Sequence, residues 1–109
     1  MSKAVYYKDF EKLDFRVSTV KEVEKVPGSD NLYKMQVNIG DKVIQIVSNL
    51  IDYYKPEELL GKRIIVCTNI APATLYGEIS NGMLLAAEKN GDLALLTTDR
   101  DIADGAKIT

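Results

Sequence analysis

Residues 15–26 read Phe-Arg-Val-Ser-Thr-Val-Lys-Glu-Val-Glu-Lys-Val, and their apolar members do not keep to one face. Phe15 and Val17 share a parity, Val20 takes the other, and Val23 and Val26 each change it again. Neighbouring side chains of a strand point to opposite faces, so a strand that changes its buried parity has to bend or bulge. A long, bent first strand lets a small sheet curl back on itself as a barrel. Two shorter strands with a break between them fit the same pattern.

Beyond residue 26 the chain reads mostly as strands. Pro27-Gly28-Ser29-Asp30-Asn31 is a dense turn signal. Tyr33, Met35, Val37 and Ile39 then alternate with Lys34, Gln36 and Asn38, the period of a half-buried strand. Gly40-Asp41 reads as a two-residue hairpin loop with Gly first, and residues 42–47 as the return strand. In residues 53–61, Pro56 suits the first position of a short helix. Glu57 and Glu58 suit its first turn, and Gly61 the left-handed position that ends it. Residues 63–69 are rich in β-branched residues and form a fourth strand, 83–88 a fifth, and 93–97 a short sixth after the Asn90-Gly91 turn. One helical turn is expected at residues 9–13 with Asp9 as its cap. The expected fold is therefore all-β. It is a single domain over 1–109, a five-stranded OB-fold barrel with a short helix between strands 3 and 4 and short N- and C-terminal extensions. An SH3-like barrel is the rival, but it does not call for that helix.

Composition narrows the function. The chain has no His, which removes the commonest general base and the commonest metal ligand. Its single Cys67 lies in an apolar run and reads as a small buried hydrophobe rather than a nucleophile. The acid pairs Glu57/Glu58 and Glu22/Glu24 are explained as helix-start acids and an exposed strand face, and Asp99/Asp101 has no partner base nearby. No catalytic residue, metal site or cofactor is expected. Net charge is −2, not the basic footprint of a protein that grips many phosphates, so nucleic-acid binding would come from a local patch. The N-terminus has no apolar run of the signal-peptide kind and no stretch is long enough to span a bilayer, so a cytoplasmic protein without membrane association is expected.

The stretch from Asn69 to Ala87 carries the candidate site. It leaves one apolar strand, passes Pro72, Gly77 and Gly82, and enters the next strand. A loop held by rigid strands is where binding residues usually sit. Asn69 offers an amide with both donor and acceptor, Ser80 a hydroxyl, and Gly82 close access to the backbone. Met83 is either a polarizable surface for a base or part of the core. OB barrels stack bases on aromatic rings. Tyr76 is the best placed ring, Tyr33 fits core packing or stacking, and Tyr54 fits a packing anchor. Arg16, Lys34, Lys62 and Arg63 are the cations that could meet phosphates.

These residues, taken together, resemble a known family. Phe10-Glu11-Lys12-Leu13-Asp14-Phe15-Arg16-Val17, Ser29-Asp30-Asn31-Leu32-Tyr33, Val47-Ser48, Pro56-Glu57-Glu58-Leu59 with Gly61-Lys62, Asn69 with Pro72, Gly77, and Ser80 with Gly82-Met83-Leu84-Leu85-Ala86 follow the order and spacing of the tRNA-binding OB domain. That domain ends many methionyl-tRNA synthetases and occurs as a free-standing dimeric tRNA-binding protein and in the endothelial monocyte-activating polypeptide. The resemblance implies an OB fold, binding of tRNA or other structured RNA without catalysis, a homodimer, and a possible methionyl-tRNA synthetase partner. It also implies binding residues at Asn69, Pro72, Ser80 and Met83. The chain departs from the family where three cationic loop positions are Ala71, Thr74 and Tyr76, where Val26 replaces a His, and where a Ser-Gly step is Ser48-Asn49. Fewer phosphate-facing charges imply weaker, less salt-sensitive RNA binding. A protein-interaction or chaperone-like dimer of the same fold is the alternative, since some free-standing relatives are of that kind.

Overall fold

The computed structural model describes residues 3–109. In chain order its elements are α1 (Tyr7–Phe10), β1 (Phe15–Lys25), β2 (Tyr33–Asn38), β3 (Val43–Ser48), α2 (Pro56–Leu59), β4 (Arg63–Cys67), β5 (Ala73–Leu75), β6 (Glu78–Ser80), β7 (Met83–Leu84), β8 (Ala86–Lys89) and β9 (Asp92–Leu95). Strands β3-β2-β1-β4-β7 form one antiparallel sheet in that order. β1 serves both halves of it. Residues 15–19 pair with β4, and residues 19–25 pair with β2. Val20 stands opposite Val37 and Glu22 opposite Gln36, so Lys21 is an extra residue and the strand bulges there. That bulge is the bend demanded by the parity change between Val20 and Val23.

The bend brings the sheet's two ends together. Across the gap the Gln45 amide donates to the Ile79 carbonyl at 2.8 Å, and the Asn81 N–H donates to the Gln45 carbonyl at 2.8 Å. The Val47 N–H donates to the Ser80 hydroxyl at 3.0 Å. The result is an OB-like barrel. Its core holds the inward residues of β2 (Tyr33, Met35, Val37) with Val20, Ile46, Ile64 and Val66. Leu59 of α2 is fully buried against them, worth about 2 kcal/mol of apolar burial. Tyr33 belongs to this core, and its hydroxyl donates to the Tyr54 carbonyl at 2.8 Å. Tyr54 is the anchor expected of it, its own hydroxyl accepting from the Leu95 N–H at 3.0 Å. Cys67 is buried too.

Three local expectations differ from what is observed. Helix α1 starts three residues early, with Tyr6 and not Asp9 at the cap position. Asp9 lies inside the turn, its carboxylate 3.1 Å from Lys12 Nζ. The expected fifth strand breaks at Leu85. The Leu85 N–H still donates to the Ile65 carbonyl, but its own carbonyl accepts from Leu96, and β8 with β9 leaves the barrel as a separate ribbon. Inside the expected loop, β5 and β6 form a further hairpin, Leu75 opposite Glu78. Residues 105–108 lie along the free edge of β1. Val17 N–H donates to Ala106, Gly105 N–H to Val17, and Ile108 N–H to Phe15, at 2.8–2.9 Å. Gly40 and Gly105 meet at this crossing, where a Cβ on Gly40 would stand 2.7 Å from the Gly105 Cα.

Candidate functional site

The β5–β6 hairpin, the end of β3 and the start of β7 enclose an open groove of about 200 Å³. Its walls are Ile46, Val47, Ile70, Ala71, Leu75 and Met83, with Ser80 and Gly82 beneath them. Met83 stands at the rim, 45% exposed. A second groove of about 430 Å³ opens beside it and shares Val47, Ser48 and Leu75, with Asn31, Leu32, Asn49 and Tyr76 completing its wall. Neither groove has a charged side chain in its lining. Among the described residues there is no group of three His, Cys, Asp or Glu side chains placed to hold a metal ion.

The predicted site residues fall into two groups. Asn69 is exposed, yet its amide is taken at both ends. Its oxygen accepts from the Asp14 N–H at 2.9 Å, and its nitrogen donates to the Lys12 carbonyl at 2.7 Å. It pins the segment leading into β1 to the end of β4. Ser80 is buried, 6% exposed, and its hydroxyl donates to the Gly82 carbonyl at 2.9 Å while accepting from Val47. Gly82 brings the backbone close, but to the barrel itself. A Cβ there would lie 3.0 Å from the Cys67 carbonyl and 3.0 Å from Ile44 Cδ1. Pro72 is exposed just before β5, and Tyr76 is exposed at the tip of the β5–β6 hairpin. Pro72, Tyr76 and Met83 are thus the accessible members, and Asn69 and Ser80 hold the frame around them.

The cations are engaged as well. Arg16 donates to Asp14 at 2.9 and 3.1 Å and to Asp41 at 3.1 Å. The Arg16 hydrogen bonds are the main reason the Asp14 carboxyl lies below its ordinary value. Lys34 lies between Glu24 at 3.1 Å and Glu78 at 3.4 Å, and the hydrogen bond to Glu24 chiefly raises its pKa. Arg63 holds Asp101 and the Ile102 carbonyl, which gives one member of the Asp99/Asp101 pair a structural partner. Lys62 sits 5.6 Å from the Tyr54 ring centroid. Glu58 caps α2 by accepting from the Lys55 N–H at 2.7 Å. A phosphate approaching Arg16 or Lys34 would have to displace a carboxylate first.

Residues 15–107 match the sequence profile of a family described as a putative tRNA binding domain. The chain belongs to this tRNA-binding domain family. It is 50% identical over 101 residues to the methionine–tRNA ligase of Caldanaerobacter subterraneus subsp. tengcongensis, covering 93% of this chain and 16% of that protein. It is also 50% identical over 99 residues to the methionine–tRNA ligase of Methanocaldococcus jannaschii, covering 90% of this chain and 15% of that one. The chain therefore spans about a sixth of these curated relatives. Among solved structures, a MetRS-related protein from Pyrococcus horikoshii superposes with a TM-score of 0.93 at 31% identity, over 99% of this chain and 100% of the other. A chaperone CsaA from Bacillus anthracis superposes at 0.88 and 27% identity, over 98% and 100%.

Within the tRNA-binding domain family's framework, Asn31, Ser48 and Asn49 are polar groove residues that sequence reasoning did not pick out. The signal was there: Tyr33 opposite Ser48 places the residues just before β2 and just after β3 at one end of the sheet. Asn49 has no side-chain hydrogen bond to any described residue.

Proposed function

We propose that this chain is a non-catalytic tRNA-binding module that works as a homodimer or as an accessory to methionyl-tRNA synthetase. Family membership across residues 15–107 carries the reading. The two open, uncharged grooves, one beside Met83 and one beside Tyr76, supply a surface for unpaired bases, with Pro72 nearby. Asn69 and Ser80 support it from behind. With Arg16, Lys34 and Arg63 held by carboxylates, few phosphates are neutralised and binding leans on base contact. Val5, Tyr6 and Tyr7 are exposed together at the N-terminal end, an apolar surface suited to a second copy of the chain. A cytoplasmic setting beside a synthetase goes with this reading.

Filter-binding with tRNA in rising salt tests it. Retention at low salt with a log–log slope of roughly −2, that of about two phosphate contacts, is expected. No retention at high protein concentration refutes it. A second reading, a chaperone-like protein-binding dimer, is favoured by the apolar lining of the first groove and by the likeness to the B. anthracis chaperone. Recovery with unfolded polypeptides and no RNA absorbance would select it.

A further inference from the structure

Two hairpins in this chain turn on a pair of residues with positive φ, the geometry of a two-residue type I′ loop. One is Asn90-Gly91, between β8 and β9, which is the pair such a turn favours. The other is Tyr76-Gly77, between β5 and β6, with Tyr76 at φ 51°. A bulky side chain in the left-handed region is strained, and such strain gathers at functional positions. Asn would relieve it, as it does at residue 90. Tyr at 76 places an aromatic ring where the turn gains nothing from it. Tyr76 is 67% exposed, and one edge of its ring lies beside the Pro27-Gly28 turn, with Cδ1 3.9 Å from where a Gly28 Cβ would be.

Beneath the ring is the larger groove. Its volume lies in the range of about 300–1,000 Å³ common to small-molecule sites. Leu32, Val47 and Leu75 give it an apolar floor. Asn31, Ser48 and Asn49 stand at its wall. Asn31 accepts from the Ser29 hydroxyl at 3.0 Å, which leaves its amide nitrogen unused. The Ser48 hydroxyl and the Asn49 amide have no partner among the described residues. The sheet register brings these groups together: Tyr33 faces Ser48, and the Asn31 carbonyl accepts from the Ile51 N–H at 3.4 Å. A flat ring, an apolar floor and an edge of spare amide donors and acceptors with no charge suit one class of ligand, a neutral planar heterocycle with a hydrogen-bonding edge.

We infer that this groove takes a single unpaired nucleobase, stacked on Tyr76 and read along its edge by Asn31 and Asn49. This rests on the RNA-binding reading above and gives that reading its specificity. Tyr76 is the stacking residue, and Asn31 and Asn49 discriminate between bases. Apolar side chains of an unfolded polypeptide would leave the three polar groups unpaired.

The test uses the full chain with bulk tRNA and with a short RNA hairpin carrying one 2-aminopurine in its loop. Wild type is expected to bind the hairpin and quench the probe, and Tyr76→Phe to do the same. Tyr76→Ala is expected to weaken binding about tenfold and remove the quenching, within the range found for base–aromatic stacks. Tyr76→Asn should lose binding equally while its melting temperature holds or rises, which separates the ring's role from the hairpin's stability. Asn49→Ala should narrow the difference in affinity between loops of different base. Hairpin affinity within twofold of wild type in both Tyr76→Ala and Tyr76→Asn overturns the inference, and so does RNA bound without quenching. Loss of binding to an unfolded polypeptide with RNA affinity intact overturns it in favour of a peptide site. If wild type retains neither RNA, the RNA-binding reading itself falls, and the base site with it.

Discussion

Replacing Ser80 with Ala removes one oxygen and leaves two backbone groups without a partner. The Val47 N–H at 3.0 Å and the Gly82 carbonyl at 2.9 Å are both served by that hydroxyl, in a region where Val47, Ser80 and Gly82 are all buried. A buried polar group left unpaired costs about 1–3 kcal/mol, and water entering from the adjacent groove should hold both groups to the lower part of that range. The expected loss is about 2–4 kcal/mol. For a domain of this size about 4 °C of melting temperature accompanies each kcal/mol, so Ser80→Ala should melt roughly 8–16 °C below wild type. Thermal and urea denaturation followed by circular dichroism would measure it, with tRNA affinity determined well below the variant's transition. Affinity there should stay near wild type, because the hydroxyl is already engaged on both sides, by the Val47 N–H and the Gly82 carbonyl. A loss of stability under about 0.5 kcal/mol, the range of ordinary surface substitutions, together with abolished RNA binding would refute this reasoning. It would move Ser80 from the seam to the ligand.

Gly82→Ala presses a methyl against the Cys67 carbonyl and Ile44 at 3.0 Å, and should cost about 1–3 kcal/mol, read as a lower urea midpoint; an unchanged midpoint would refute the close approach. Asn69→Ala frees the Asp14 N–H and the Lys12 carbonyl at a partly solvated site. It should cost about 1 kcal/mol and speed amide exchange at Asp14, whereas a large loss of RNA affinity at unchanged stability would place the amide on the ligand. Asp14→Asn tests the Arg16 pair. The folded carboxyl titrates below its ordinary value of 3.8, chiefly through the Arg16 hydrogen bonds, so the unfolded chain binds more protons in that interval. The stabilisation is complete above about pH 3.8 and is lost as pH falls through the folded value. The melting-temperature gap between wild type and variant should therefore close on acidification, and a constant gap would exclude the pair as its source.

How far the sequence could be read depends on where each residue's partners lie. The parity change at Val20 and Val23 demanded a bend, and it is present as the extra residue Lys21. The alternation from Tyr33 to Ile39 and the Pro56 and Gly61 signals gave a hairpin and a helix, because turn and period are local properties. The β5–β6 hairpin went unseen for the opposite reason. Its turn begins with Tyr76, whereas Asn, Asp or Gly is what marks such a turn in sequence. Asn69 and Ser80 read as ligand groups because an amide or hydroxyl in a loop shows its capacity but not its partners. Those partners, Asp14 and Val47, lie 55 and 33 residues away. Arg16 and Lys34 likewise read as free charges, while Asp41 and Glu78 reach them only after the barrel closes.

The pairing of residues 105–108 with the first half of β1 has a consequence for self-association. That half of β1 has β4 on one side, and without the final residues the other side would present unsatisfied donors and acceptors at Phe15 and Val17. Bare rims of this kind are templates for indiscriminate strand addition between molecules. Residues 105–108 thus act as a guard strand: deleting them should promote aggregation, even with every groove residue intact.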